Sequence, residues 1–135
     1  MALKIRLRPR ERIIIGGAVV TNGNTHCELI VGNRVPLLRE KDIMSEEDAN
    51  TPCRRIYFVI QLMYIDEQNL VDHHSAYWKL VRDVVDAAPR TLLMINQVSG
   101  HILNGHYYKA LKEARRLIDY EEEVVNHVRK SVGSV

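Results

Sequence analysis

Leu3, Ile5 and Leu7 alternate with Lys4, Arg6 and Arg8 at the start of the chain. A period of two reads as a strand with one buried face and one row of positive charge. Pro9-Arg10-Glu11 reads as a turn, and the β-branched run Ile13-Ile14-Ile15 as a second short strand. Gly16-Gly17 permits a bend or bulge before Ala18-Val19-Val20. Asn22-Gly23 between apolar runs predicts a hairpin, because a type I′ turn needs positive φ at both central residues. Residues 26–31 are then the return strand, closed by Gly32-Asn33. Val35 to Leu38 form a further strand, with Pro36 placing it at an edge or at a strand entry. The expected result is a compact antiparallel meander or a small barrel-like sheet.

The pattern changes near Arg39. Ser45-Glu46-Glu47-Asp48 reads as a capped helical turn, and Thr51-Pro52 as a helix start with Thr as N-cap and Pro in the first helical position. Ile56, Val59, Ile60 and Met63 follow at helical spacing, while Tyr57, Phe58, Leu62, Tyr64 and Ile65 make the segment apolar almost all round. A pair of buried strands is the competing reading. A second helix is predicted over about 70–88, with Val71, Trp78, Val81 and Val85 inward, Tyr77 and Val84 beside them, and Pro89 as its stop. A third is predicted over 91–103, with Leu92, Ile95, Val98, Ser99 and Ile102 on its buried stripe. Gly105 marks a turn, and a last helix runs from about His106 to Lys130 with Tyr108, Leu111, Ala114, Leu117 and Ile118 inward. Residues 131–135 should fray. The fold class is therefore α+β, with an antiparallel β domain over 1–44 and an α-helical domain over 45–135.

Composition narrows the function classes. With 46% hydrophobic and 27% charged residues, the chain is an ordinary globular sequence and not a disordered one. No apolar run reaches the roughly 18 residues of a membrane span, and the basic start has no apolar signal core. Two cysteines make no disulfide framework, so the expected compartment is the cytoplasm. Charge is unevenly placed. Residues 1–44 hold Lys4, Arg6, Arg8, Arg10, Arg12, Arg34, Arg39 and Lys41 against Glu11, Glu28, Glu40 and Asp42, an excess of four, although the whole chain carries only +2. Such a segment suits a polyanion or an acidic protein surface, and equally a solubilising face.

No phosphate-binding loop, nucleophile elbow, GxGxxG or CxxC occurs, so neither an enzyme nor a cofactor is expected. His73-His74, His101 and His106 do not share a helix face and read as surface or capping residues. Cys27 alternates with Glu28 and reads as a small core residue. Cys53 lies in a first helical turn, where the helix dipole could lower its pKa, but a structural role is adopted. Glu121-Glu122-Glu123 reads as a solvated helix face. Gly105-His106-Tyr107-Tyr108-Lys109-Ala110-Leu111 is similar to part of a tetratricopeptide helix, and a single copy implies only a helical hairpin. The candidate polyanion-binding residues are Lys4, Arg6, Arg8, Arg10, Arg12, Arg39 and Lys41. Guanidinium groups bind phosphate bidentately and stack on bases, as single-stranded RNA recognition requires. Residues 1–44 contain no Phe, Tyr or Trp, so an aromatic stacking platform of the RRM kind is not expected there. Ile56, Phe58, Leu62, Ile65, Lys112 and Arg116 are the candidate protein-interface residues, and the apolar helix over about 53–65 predicts a homodimer.

Leu38-Arg39-Glu40-Lys41-Asp42-Ile43-Met44, Thr51-Pro52 and Arg55-Ile56-Tyr57-Phe58 resemble motifs of the flagellum biosynthesis repressor FlbT family. So do Leu7, Pro9, Glu11, Gly17-Ala18-Val19-Val20 and Asn22-Gly23, and the later Tyr107 to Leu111, Arg115, Leu117-Ile118 and Tyr120-Glu121. The pattern departs at Ile5, where the family has Leu, and at Arg10, where it often has Gly. The resemblance implies a non-enzymatic post-transcriptional regulator. It would bind the 5′ untranslated region of flagellin mRNA, repress translation or promote decay, and act with the flagellar regulator FlaF. The alternative is a protein-only adaptor or chaperone that holds FlaF or flagellin through its helices, with an indirect effect on the mRNA. A fainter similarity links Glu11-Arg12-Ile13-Ile14-Ile15-Gly16 and Val35 to Ile43 with strands of the carbon storage regulator CsrA. It would place Arg39 at that family's RNA-binding arginine, with Arg8 near its basic first strand.

Overall fold

The computed structural model describes residues 2–133 and divides the chain into two compact units, Met1–Ile43 and Met44–Val135. The N-terminal unit holds five antiparallel strands in two sheets. Strand β1 (Leu3–Leu7) pairs with β4 (Cys27–Val31), with Ile5 opposite Leu29. Strand β2 (Arg12–Ile15) is the centre of a second sheet, between β3 (Ala18–Thr21) and β5 (Leu37–Arg39). Ile5, Leu7 and Ile13 form the core, and Ile15, Cys27, Leu29, Val31 and Leu37 pack around them. The alternation of β1 thus directs Ile5 and Leu7 inward and leaves Lys4 and Arg6 outside.

The expected meander is not formed, because the hairpin lies elsewhere. Gly16 (φ 56°) and Gly17 (φ 89°) are the two central residues of the β2–β3 turn, with Ile15 paired to Ala18. Only glycine takes two successive positive φ values without steric cost. Asn22-Gly23 makes no two-residue turn, since β3 and β4 lie in different sheets and Gly23 has no positive φ. The Asn22 side-chain Nδ2 donates instead to the carbonyls of Arg8 (2.8 Å) and Thr25 (2.9 Å), while the Gly23 carbonyl accepts from the Arg10 backbone amide (2.9 Å). The dipeptide therefore locks the turn between β1 and β2. Within that turn Arg10 adopts φ 64°, a left-handed conformation that penalises a Cβ. Arg10→Gly is expected to stabilise the unit by about 1 kcal/mol, net of glycine's greater unfolded-state entropy, as slower amide exchange in β1 and β2 would report.

The C-terminal unit is a helical bundle. Helix α1 (Pro52–Ile65) starts as its sequence predicts, with the Thr51 hydroxyl oxygen accepting from the Arg54 amide (3.2 Å), and the strand-pair alternative falls. Cys53, Ile56, Tyr57, Ile60, Gln61 and Met63 are buried, because α1 is packed by both α2 (Leu70–Ala87) and α4 (Tyr107–Gly133). Gln61, the polar member of this core, exchanges two hydrogen bonds with the Met44 backbone (2.7 and 3.0 Å). The buried stripe of α2 is Tyr77, Val81 and Val84, rotated by one residue from the expected one. Val71 is 84% exposed and Trp78 39%. Tyr77 goes inward because its hydroxyl meets Ser99 of α3 (Leu92–Leu103) at 2.8 Å, and Trp78 covers its ring edge-on. On α3 the buried stripe is Ile95, Val98, Ser99 and Ile102, while Leu92 is exposed. Gly105 (φ 74°) ends α3, with its amide bonded to Ile102 and that of His106 to His101. This double bond pattern satisfies the last carbonyls and reverses the chain into α4. There Ala110, Leu111, Ala114, Leu117 and Ile118 are buried, and Tyr108 is on the surface. Residues 131–133 continue α4, and the rest of the expected fraying lies outside the described residues.

Candidate nucleic-acid interface

Glu11 is the centre of the N-terminal unit's charge network. Although the turn after β1 is at the surface, this carboxylate is only 4% exposed. It accepts from the Arg8 amide (3.0 Å) and from Arg39, whose Nη2 lies 2.8 Å and whose Nε lies 3.3 Å away. The Arg8 amide above all, and then Arg39, hold its pKa below the ordinary glutamate value. Arg39 Nη2 also donates to the Arg6 carbonyl (2.7 Å), so one guanidinium ties β5 to β1 across the two sheets. Such a fork needs arginine, because a lysine ammonium has no planar pair of donors.

The predicted cations fall into two groups. Arg39 is bonded as described and its side chain is 41% exposed. Arg12 reaches Glu40 at 3.4 Å, and Arg6 approaches Glu28 at 3.7 Å across the β1–β4 pair. The Arg8 side chain lies 3.6 Å from Glu11. Yet the side chains of Arg6 and Arg8 remain 91% and 74% exposed, so these pairs are loose surface contacts that solvent screens. Both arginines line an open cleft with His26 and Glu28. Lys4, Arg10 and Lys41 are exposed and, among the described residues, make no ion pair. The outward row of β1 and the turn after it therefore offer Lys4, Arg6, Arg8 and Arg10 to an anionic ligand, while Arg39 is turned toward the protein's own framework.

The helical candidates are placed differently. Ile56 is wholly buried in its own chain, where α2 and α4 pack on α1, and so is not presented to a second subunit. Phe58, Leu62 and Ile65 are half-buried. Lys112 is exposed over the Tyr108 ring (5.0 Å), and Arg116 is exposed beside Glu113 (3.4 Å). The three consecutive glutamates divide their roles. Glu121 accepts from the Thr51 hydroxyl and from the Cys53 amide (3.1 Å), capping the positive end of α1 from α4. Glu122 pairs with Arg54 at 3.0 Å, and Glu123 is exposed. Sequence reasoning missed the Glu11 and Glu121 sites, although both glutamates stand inside the motifs that carry the family resemblance. Burial, and next to it Glu121, push the Cys53 thiol up to about 12, so the helix dipole does not activate it. His73 bonds Asp66 and His74 bonds Tyr107 (3.0 and 3.1 Å). Among the described residues no cluster of His, Cys, Asp and Glu could hold a metal, and no helix is long and apolar enough to cross a membrane.

These features define a two-unit α+β protein, of which one unit is a small β scaffold that presents arginines and the other is a helical bundle. A profile of the family described as "Flagellar protein FlbT" matches residues 3–125, and the chain belongs to this family. It is 47% identical to the "Probable flagellum biosynthesis repressor protein FlbT 1" of Bradyrhizobium diazoefficiens, over 92% of this chain and 85% of that one. It is 40% identical to the "Probable flagellum biosynthesis repressor protein FlbT" of Rhodopseudomonas palustris strain TIE-1, over 93% and 99% of the two chains. Identity to the "Flagellum biosynthesis repressor protein FlbT" of Caulobacter vibrioides strain CB 15 is 35%, over 99% and 96%. No solved structure matches the chain significantly, so the likeness to CsrA stays a resemblance of sequence.

Proposed function

We propose that this chain represses flagellum biosynthesis post-transcriptionally, by binding the 5′ untranslated region of flagellin mRNA in the cytoplasm and lowering its translation or lifetime. The chemistry is binding without bond-making, and a FlaF-like regulator is the expected protein partner. The names of the relatives support the repressor role. The observation that carries the RNA reading is the exposure of Arg6 and Arg8 along one cleft, continued by Lys4 and Arg10. Guanidiniums this exposed can meet phosphates while giving up only ion pairs of 3.7 and 3.6 Å. Arg39 enters this reading as a positioning residue, which holds the arginine-bearing turn through Glu11.

The test is a mobility shift of a flagellin leader RNA by the purified full-length protein alone. Lys4→Gln and Arg6→Gln should each weaken binding and flatten the log-affinity against log-salt slope by about 0.7. Arg10→Gly is the most informative variant, since it should bind RNA less well while folding more stably. Full-strength binding by a variant combining Lys4→Gln, Arg6→Gln and Arg10→Gly would place the RNA contact elsewhere. No shift by the unaltered protein would favour the adaptor reading, in which the helices hold FlaF or flagellin.

A further inference from the structure

The second half of α4 carries an apolar face that its own bundle covers only in part. Beyond Ile118, no described side chain of this helix is buried. Residues 122–130 extend for about 13 Å, at 1.5 Å per residue. Val124, Val125 and Val128 fall within about 100° of one another on this stretch and are 42%, 42% and 54% exposed. Valine is a weak helix former, and three within five positions of a partly covered helix are unfavourable unless something packs on them. The stripe runs into a cavity of about 200 Å³ with an almost wholly apolar lining, in which Val124 and Val125 face Pro52, Val84, Ala87 and Ala88.

The charges beside the stripe say what covers it. Glu122 and Arg129 lie on the same flank, seven residues apart, one before the valines and one after them; Glu122 is bonded through Oε1 to Arg54 of its own chain and, with its side chain 53% exposed, has a second oxygen for a further cation. At that separation they are about 10 Å apart along the axis and cannot pair within one helix. Among the described residues Arg129 has no ion-pair partner. When two copies of this segment lie antiparallel, with a two-fold axis close to residues 125–126, Glu122 of each faces Arg129 of the other. Val124 then packs against the second copy's Val128. Acid before and base after a central apolar patch is a self-complementary pattern, as an isologous interface requires. A parallel pairing would set Glu122 against Glu122.

We propose that this face of α4 is a homodimer interface in which a second copy of the chain seats antiparallel, its Val128 at the mouth of the Pro52–Val84–Ala87 cavity. The dimer contact thus lies on the overhang of α4 and not on α1.

The experiment is light scattering on the full chain at micromolar concentration in low salt, with cysteine cross-linking for orientation. The unaltered protein should show twice its 15.6 kDa chain mass. Val128→Glu, at an exposed position, should keep its helical circular dichroism and raise the dimer dissociation constant at least about tenfold, because a charge would be buried without a partner. Val125→Cys, close to the two-fold axis, should form an intermolecular disulfide under mild oxidation. Val128→Cys, displaced from its own symmetry mate, should form much less. A monomeric unaltered protein, or a Val128→Glu variant that still dimerises, would overturn the proposal. Equal self-linking by the two cysteine variants would overturn the antiparallel arrangement.

Discussion

Glu11→Ala is expected to destabilise the N-terminal unit by about 2–4 kcal/mol, because it strips the partners from several charge-assisted bonds at once. The carboxylate holds the Arg8 amide and both donor nitrogens of Arg39. Without it, among the described residues, the Arg39 side chain keeps the Arg6 carbonyl, and the turn that presents Arg8 and Arg10 loses its anchor. Loss of amide protection in β1, β2 and β5 is the measurement, since residues 1–44 contain no aromatic reporter. RNA affinity should fall with it, although Glu11 carries the wrong charge to touch a phosphate. An Arg39→Glu variant should behave alike for the same reason, and so would not by itself identify a phosphate contact. The pH dependence follows from the lowered pKa. The unfolded chain takes up a proton near 4.5 that the folded one resists. The stabilisation is complete above that value and is lost as pH falls from it toward the lower folded value. Between pH 5 and 3 the unaltered unit should therefore lose more stability than Glu11→Gln does. Equal losses in the two proteins would show that this carboxylate does not carry the acid sensitivity.

Ile56→Ala should cost the helical unit about 3 kcal/mol, within the 2–5 range of buried aliphatic truncations. The side chain is fully buried, and its removal leaves a cavity between α1 and its neighbours. The fluorescence of Trp78, the chain's one tryptophan, reports this unit and should show a fall in the unfolding midpoint of about 10 °C or more. The loss should not depend on protein concentration. An interface residue would behave in the opposite way, with little change in a dilute sample and weaker association in a concentrated one. The contrast separates the α1 interface expected from sequence from the α4 interface proposed here.

Local signals set a large part of this architecture. Alternation marked β1, the Thr51-Pro52 pair started α1, and Gly105 stopped α3, because each depends on backbone preferences within a few residues. The FlbT motifs were legible for the same reason, as ordered runs of adjacent residues, and the family profile matches nearly the whole chain. Strand pairing was not legible in this way. Asn22-Gly23 carried the stronger hairpin signature, but the Asn22 side-chain Nδ2 is satisfied by the carbonyls of Arg8 and Thr25, and the turn falls to Gly16-Gly17. The inward face of α2 turned on a hydrogen bond between Tyr77 and Ser99, 22 residues apart, which no periodicity encodes. Charge was the least readable quantity. A row of arginines fixes an excess of positive residues, but which of them is free depends on acids distant in the chain: Glu11 holds Arg39 from 28 positions away, and Glu40 holds Arg12 over the same span. Composition therefore determined that the N-terminal unit is basic. Alternation already set Arg6, and Arg8 just after β1, on the outward face. Tertiary structure alone decided that Arg39 is held by Glu11, because a carboxylate withdrawn from water must find its cation wherever the fold brings one.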